Sequence, residues 1–171
     1  GIRKPKCQRA FDYPMILKNK GIETPEPIAI IEERSWLGLL GYSYLITMQC
    51  DYGHTLYEVG DAKAGTYETL AKALAHFAVK IHNGNVLHKD FTPGNVLWKQ
   101  DDEGFHFSLV DINRMHFGQV SAKQGLYNLR KFWGPKEFIR IMVTEYALLR
   151  NLDVGKSVDY VMRERAKFWT K

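Results

Sequence analysis

Apolar residues recur most regularly between Thr66 and Asn83, where Leu70, Ala71, Leu74, Phe77, Ala78 and Ile81 fall at i, i+3, i+4, i+7 and onward. That spacing lines one face of a helix and predicts an amphipathic α-helix, closed by Asn83-Gly84-Asn85. A weaker helical pattern runs from about Lys4 to Lys20 through Cys7, Ala10, Phe11, Met15, Ile16 and Leu17, with Gly21 as its stop. Pro14 falls inside it, which predicts a kink or a split there. Thr24-Pro25-Glu26-Pro27 reads as a rigid extended connector, because each proline biases the residue before it to the β region. Two β-rich runs follow, Ile28–Glu33 and Tyr42–Met48, separated by a turn at Gly38 and Gly41. They predict an antiparallel pair. Asp51 to Gly65 is polar and punctuated by glycine, a short helix or loop.

After the central helix the pattern shortens. Val86-Leu87-His88 is a brief apolar strand, Lys89 to Asn95 a polar loop, Val96-Leu97 the start of a second strand, Asp101 to Gly104 a turn, and Phe105 to Val110 a third strand ending at Asp111. Beyond Met115 two more helices are predicted. Gly134-Pro135 opens one that runs to about Asn151 with Phe138, Ile141, Met142, Tyr146 and Leu149 as its stripe, and Ser157 begins the last, with Val158, Val161, Met162 and Trp169. The expected class is α+β, with a small mixed part over residues 1–50 and a mainly helical part over 51–171.

The strand and loop ends deliver Asp90, Asn95 and Asp111 within one small hairpin assembly. Phosphoryl transfer needs such a set: a carboxylate to receive or orient a substrate hydroxyl, with an amide and a second carboxylate to hold magnesium against nucleotide phosphates. Magnesium prefers oxygen ligands and retains waters, so two side chains plus phosphate oxygens suffice. His88 in the loop is read as a residue that holds it by hydrogen bonds. Lys89 either steadies a phosphate or faces solvent or an ion-pair partner. Arg114, three residues past Asp111, presents a planar fork suited to phosphate or a substrate carboxylate, with a structural ion pair as the alternative.

Composition narrows this only slightly. With 171 residues and 45% hydrophobic content the chain can build one packed domain. Cys7 and Cys50 are far apart with no C-x-x-C, so neither a disulfide framework nor a zinc site is suggested, and a reducing cytoplasm fits. No apolar run approaches the roughly 20 residues that span a bilayer. The net charge of +5 is a mild excess, 24 basic against 19 acidic residues, compatible with polyphosphate ligands or with peripheral contact at an anionic membrane face through a basic end that includes Arg163, Arg165, Lys167 and Lys171. No basic stripe interleaved with aromatics argues for nucleic acid.

The loop His88-Lys89-Asp90-Phe91-Thr92-Pro93-Gly94-Asn95, followed by Leu109-Val110-Asp111-Ile112-Asn113-Arg114-Met115, resembles the protein-kinase-like superfamily. With Gly21-Ile22-Glu23-Thr24-Pro25-Glu26-Pro27-Ile28 it is similar to the lipopolysaccharide core kinases that phosphorylate Kdo or heptose sugars. The resemblance implies a small mixed N-lobe, a mainly helical C-lobe, ATP with Mg2+, and a small-molecule or glycolipid acceptor. It implies Asp90 as catalytic base with His88 and Lys89 beside it, Asn95 and Asp111 as metal ligands, and Arg114 toward the substrate. It also implies an adenine hinge with Thr47 at the gate and the Met48 carbonyl and Cys50 amide as partners, and Asp12 as the helix acid that pairs with a nucleotide lysine. A glycine-rich phosphate loop and a strand lysine belong ahead of the first helix in that family. Neither is present here, Lys4 and Lys6 being too close to the helix, so the expected N-lobe lacks its front part. Thr92 stands where many protein kinases carry a phosphate-contacting lysine, so another cation is required. A metabolite kinase of the aminoglycoside or choline type and a silent nucleotide-binding pseudokinase are the alternative readings.

Overall fold

The computed structural model of the chain describes residues 6–169, with Lys4 and Lys171 outside that range. Helix α1 (Lys6–Lys18) runs unbroken past Pro14, in place of the expected kink or split. Pro14 has no N–H to offer the carbonyl of Ala10, and both residues line one cavity, so the missing bond falls on an open side of the helix. The helix ends in a Schellman motif: Ile22 N–H reaches Leu17 O at 3.0 Å and Gly21 N–H reaches Lys18 O at 2.9 Å, with Gly21 left-handed at φ +65°. Leu17 and Ile22, the apolar pair of that motif, are both buried.

Strands β1 (Pro27–Arg34) and β2 (Leu40–Thr47) pair antiparallel with Ile30 opposite Leu45, as the alternating β-formers predict. They form a two-stranded sheet of their own. A short strand β3 (His54–Thr55) and a 3-10 turn (Leu56–Asp61) then lead to α2 (Glu68–Asn83), whose apolar face of Leu70, Ala71, Leu74, Ala78 and Ile81 is buried as its periodicity requires.

Strand β4 (Val86–His88) enters the polar loop. Strands β5 (Val96–Asp101) and β6 (Gly104–Leu109) form the predicted hairpin, with Asp101 opposite Gly104, and β3 extends its sheet. Strand β7 (Met115–Phe117) returns to pair with β4, so the polar loop is clamped between two small sheets. Glu23 bridges to Ser108, and Leu109 N–H reaches Glu23 O at 2.9 Å, which ties the connector after α1 to the hairpin.

Three helices, not two, follow. Helix α3 (Ala122–Leu129) begins at a capping box in which Ser121 and Gln124 exchange bonds, and α4 (Lys136–Leu149) and α5 (Val154–Trp169) complete the body. Helix α4 lies between α2 and α5. Phe138, Ile139, Met142, Val143 and Tyr146 are fully buried there, alongside Leu74 and Val161.

Candidate active site

The loop after β4 is fixed from inside by His88, whose ring is buried. Nδ1 accepts the Asp90 N–H at 3.1 Å, so Nε2 carries the proton and donates to the Val110 carbonyl at 3.0 Å. One ring thus joins the residue before Asp111 to Asp90 itself. Burial, which disfavours the charged ring, lowers its pKa below the ordinary imidazole value, against a smaller opposing effect of the Val110 bond. His88 therefore acts as a neutral brace.

Asn95 closes the same loop. Its Nδ2 donates to Asp90 O at 2.8 Å, its backbone N–H to Thr92 O at 3.0 Å, and its carbonyl accepts from Val110 N–H at 3.1 Å. Because the amide nitrogen is committed, Oδ1 is the atom left to face a cation. Tyr57 lies over the loop at Gly94, where a Cβ would stand 2.8 Å from the tyrosine ring and oblige it to shift. Phe91, fully buried, stacks edge-on against Phe132 at 4.8 Å and anchors the loop in the core.

Asp111 follows β6 in the left-handed region, φ 51° and ψ 47°, which turns its exposed carboxylate out of the strand direction. A non-glycine residue held there is a strained conformation that clusters at functional sites. Its Oδ1 accepts from the Asn113 amide. Asp90 faces two cations. Arg114 lies 2.8 Å from Oδ2, and Lys131 lies 3.3 Å from Oδ1 while also donating to the Lys89 carbonyl. Arg114 is thus paired with Asp90, the ion-pair alternative for that residue. Lys89 itself is exposed and meets Lys131 only through its carbonyl.

Helix α3 supports this arrangement from behind. Arg150 donates to Tyr146 Oη at 2.8 Å, and His82 Nδ1 stands 2.8 Å from the same hydroxyl. His82 Nε2 is 3.2 Å from Asn128 Oδ1, and Asn128 Nδ2 donates to His88 O at 3.0 Å. Every donor in that chain points toward the loop when His82 is neutral. Burial holds His82 neutral, taking its pKa down to about 4, and the nearby Arg150 charge adds to the effect, against the Asn128 bond. Such chains polarise one another and fix geometry. Gly125 makes room for them, since a Cβ there would stand 2.1 Å from the Tyr146 hydroxyl. Arg165 of α5 donates to the carbonyls of Phe132 and Gly134 at 3.1 and 2.9 Å, pinning the turn that carries Lys131.

Residues 3–144 match the model of the lipopolysaccharide kinase (Kdo/WaaP) family. The chain belongs to the lipopolysaccharide kinase (Kdo/WaaP) family. A solved structure titled WaaP in complex with acyl carrier protein shares its fold with a TM-score of 0.67 at 16% identity, covering 94% of this chain and 76% of that one. Calcium/calmodulin-dependent protein kinase type I of Schizosaccharomyces pombe (strain 972 / ATCC 24843) is 28% identical over 148 residues, 84% of this chain but 41% of that protein. The chain thus spans less than half the length of that curated relative. The mixed, protein-kinase-like α+β fold expected from the sequence holds.

Against that fold the other expected site residues fall in two places. Thr47 lines a cavity of about 580 Å³ together with Asp111, Asn113, Leu45, Ala10 and Cys7, a volume ordinary for a ligand site. Cys50 and Asp12 line an adjoining cavity, with Gln49, Met15 and Glu26, that shares Pro14, Thr24 and Pro25 with the first. From α1, Cys7 and Ala10 line the cavity beside Asp111, Phe11, Asp12 and Met15 line the second cavity, and Pro14 lines both. Met48 N–H donates to Glu26 O at 2.8 Å. Among the described residues no set of three or more His, Cys, Asp or Glu is placed to hold a metal, so a hard cation would rely on Asp111 and the Asn95 amide oxygen with phosphate oxygens. The donor set, one carboxylate and one amide oxygen, suits magnesium. No helix among the described residues is long and apolar enough to cross a membrane.

Sequence reasoning missed Lys131 and Asn128, both carried by α3 and its exit turn. The pattern Ser121-Ala122-Lys123-Gln124 before Leu126 and Leu129 was the available signal, a capping box ahead of a short apolar spacing.

Proposed function

We propose that this chain carries the catalytic loop and metal-binding residues of an ATP- and Mg2+-dependent kinase that phosphorylates a sugar hydroxyl, Kdo or heptose, of lipopolysaccharide. The observation that supports it most is the bracing of Asp90, Asn95 and Asp111 through one buried histidine and one amide, in a member of the lipopolysaccharide kinase family.

Asp90 orients the acceptor hydroxyl and takes its proton as the new O–P bond forms, a role its loop geometry leaves open because each carboxylate oxygen retains a lone pair beside its cation. Arg114, held on Oδ2, sets the carboxylate plane. Asn95 Oδ1 and Asp111 would hold the divalent ion, which when bound would neutralise charge on the nucleotide phosphates. Thr47 and the other walls of the 580 Å³ cavity beside Asp111 receive the nucleotide, and its base extends toward the Met48 carbonyl and the amide of Cys50, which lines the adjoining cavity that shares Pro14, Thr24 and Pro25 with the first. Positioning and preorganised charge supply the rate, with no covalent enzyme intermediate.

The test is transfer from Mg-ATP to Kdo- and heptose-bearing core oligosaccharide, followed by 31P NMR and mass spectrometry. Phosphate should appear on the sugar, and Asp90→Asn should slow the transfer by ~10² to 10⁴-fold while leaving the thermal midpoint near that of the parent. Nucleotide binding without transfer to any sugar would replace this reading with that of a silent binder.

A further inference from the structure

The phosphoryl group in transit spreads negative charge over three oxygens, and the loop around Asp90 has to meet that charge with a cation. Position 92 is threonine, whose hydroxyl brings none. Lys89 is exposed, and the Arg114 guanidinium is fixed on Oδ2 with its side chain 59% exposed. Lys131 is different. Its side chain is only 14% exposed, and its ammonium is held between the Lys89 carbonyl and Asp90 Oδ1.

We propose that Lys131 is a catalytic residue, the cation that takes the charge of the phosphoryl group as it passes from ATP to the acceptor oxygen at Asp90. An ammonium has three donors, and two are engaged, so one remains for a phosphate oxygen. An acceptor hydroxyl within hydrogen-bond reach of Asp90 would sit beside that ammonium, because both use the same carboxylate. As the acceptor oxygen bonds to phosphorus its proton passes to Asp90, the bond from phosphorus to the ADP oxygen breaks, and ADP leaves with that electron pair. Lys131 stays protonated throughout and changes only which oxygens it meets. The side chain is ordered before substrate arrives, by the two bonds above and by Phe132, Arg165 and the α3 exit turn, so little reorganisation is needed in the reaction. The turn that leaves α3 supplies it, outside the loop in sequence.

The inference rests on the kinase reading, and the experiment separates the two. In the full chain, Lys131→Met and Lys131→Arg are compared with the parent for sugar phosphorylation and, by calorimetry, for binding of Mg-ADP with and without aluminium fluoride, a mimic of the phosphoryl group in flight. Lys131→Met should lower kcat by ~10²-fold with the sugar KM little changed, as loss of one preorganised donor does. It should also abolish the tightening that aluminium fluoride gives to Mg-ADP while leaving Mg-ADP alone unaffected, and Lys131→Arg should recover part of both. If Lys131 merely struts the loop, Met weakens both calorimetric arms alike and Arg rescues neither, which overturns the proposal. A kcat within threefold of the parent overturns it too. A parent chain that binds nucleotide but transfers no phosphate to sugar removes the kinase reading and this inference with it.

Discussion

The helical body and the β1–β2 hairpin both carry dense apolar sequence, and the fold treats it in opposite ways. In the body, Leu74, Phe138, Met142 and Tyr146 have no exposed surface, while in the hairpin Ile28, Ile31, Tyr44 and Ile46 are between 43% and 55% exposed. The difference locates the stability of the protein. Asp90, Asn95 and Lys131 hang on Phe91, Phe132 and the α3 relay, all rooted in the body, whereas the hairpin contributes walls such as Leu45 and Thr47 to a cavity and little core. A site that must hold charged groups within fractions of an ångström is built on the densely packed part, and the thin sheet is left to yield.

Three measurements sharpen or break that contrast. The largest effect should come from Phe138→Ala, which empties a fully buried position facing Tyr67 at 5.8 Å and should cost ~3–5 kcal/mol in urea unfolding. A loss below about 1 kcal/mol would show that the body is not the stabilising region.

Next comes the pH dependence carried by His82. Its folded pKa of about 4 lies below the ordinary 6.5 of the unfolded chain, so the unfolded state binds the proton first. The contribution is complete above pH 6.5 and is lost as pH falls from there to about 4, on the order of 3 kcal/mol over the window. Unfolding free energy measured across that range should fall steeply in the parent and less steeply in His82→Gln. Equal slopes would place the acid sensitivity outside the α2–α3–α4 relay.

The smallest effect belongs to the hairpin. Ile31→Ala, at a position 51% exposed, should change stability by less than ~0.5 kcal/mol, in keeping with surface substitutions away from special features. A cost near that of Phe138→Ala would mean that the apolar face of β1 is covered in solution and that the two regions are alike.

Much of this architecture is legible in the periodicity of the sequence. Helix α2 ends at Asn83 as its stripe predicts, and β1, β2 and the β5–β6 hairpin lie within two residues of their β-rich runs. Those elements are specified locally, by repeats that their own residues supply. Helix α3 was not legible, because eight residues give barely two turns of pattern and its stability comes from packing on α5 and on β4. The polar cast of the loop was readable from spacing alone. Its wiring was not: that Arg114 turns to Asp90, or that Lys131 arrives from 41 residues away, depends on tertiary placement that no local signal encodes. Asp12 shows the same limit: that it lines the cavity of Gln49 and Cys50 follows from how α1 packs, not from its own stretch of sequence.

The His88 ring has a consequence for acid conditions distinct from global unfolding. A second proton on it would set a donor against the Asp90 N–H, and two donors in contact push apart, so the Asp90 loop would lose that mooring. Burial postpones that event to pH values below the usual imidazole range. The acid tolerance of the Asp90 loop is therefore tied to a side chain sealed beneath it, which touches the loop only from within.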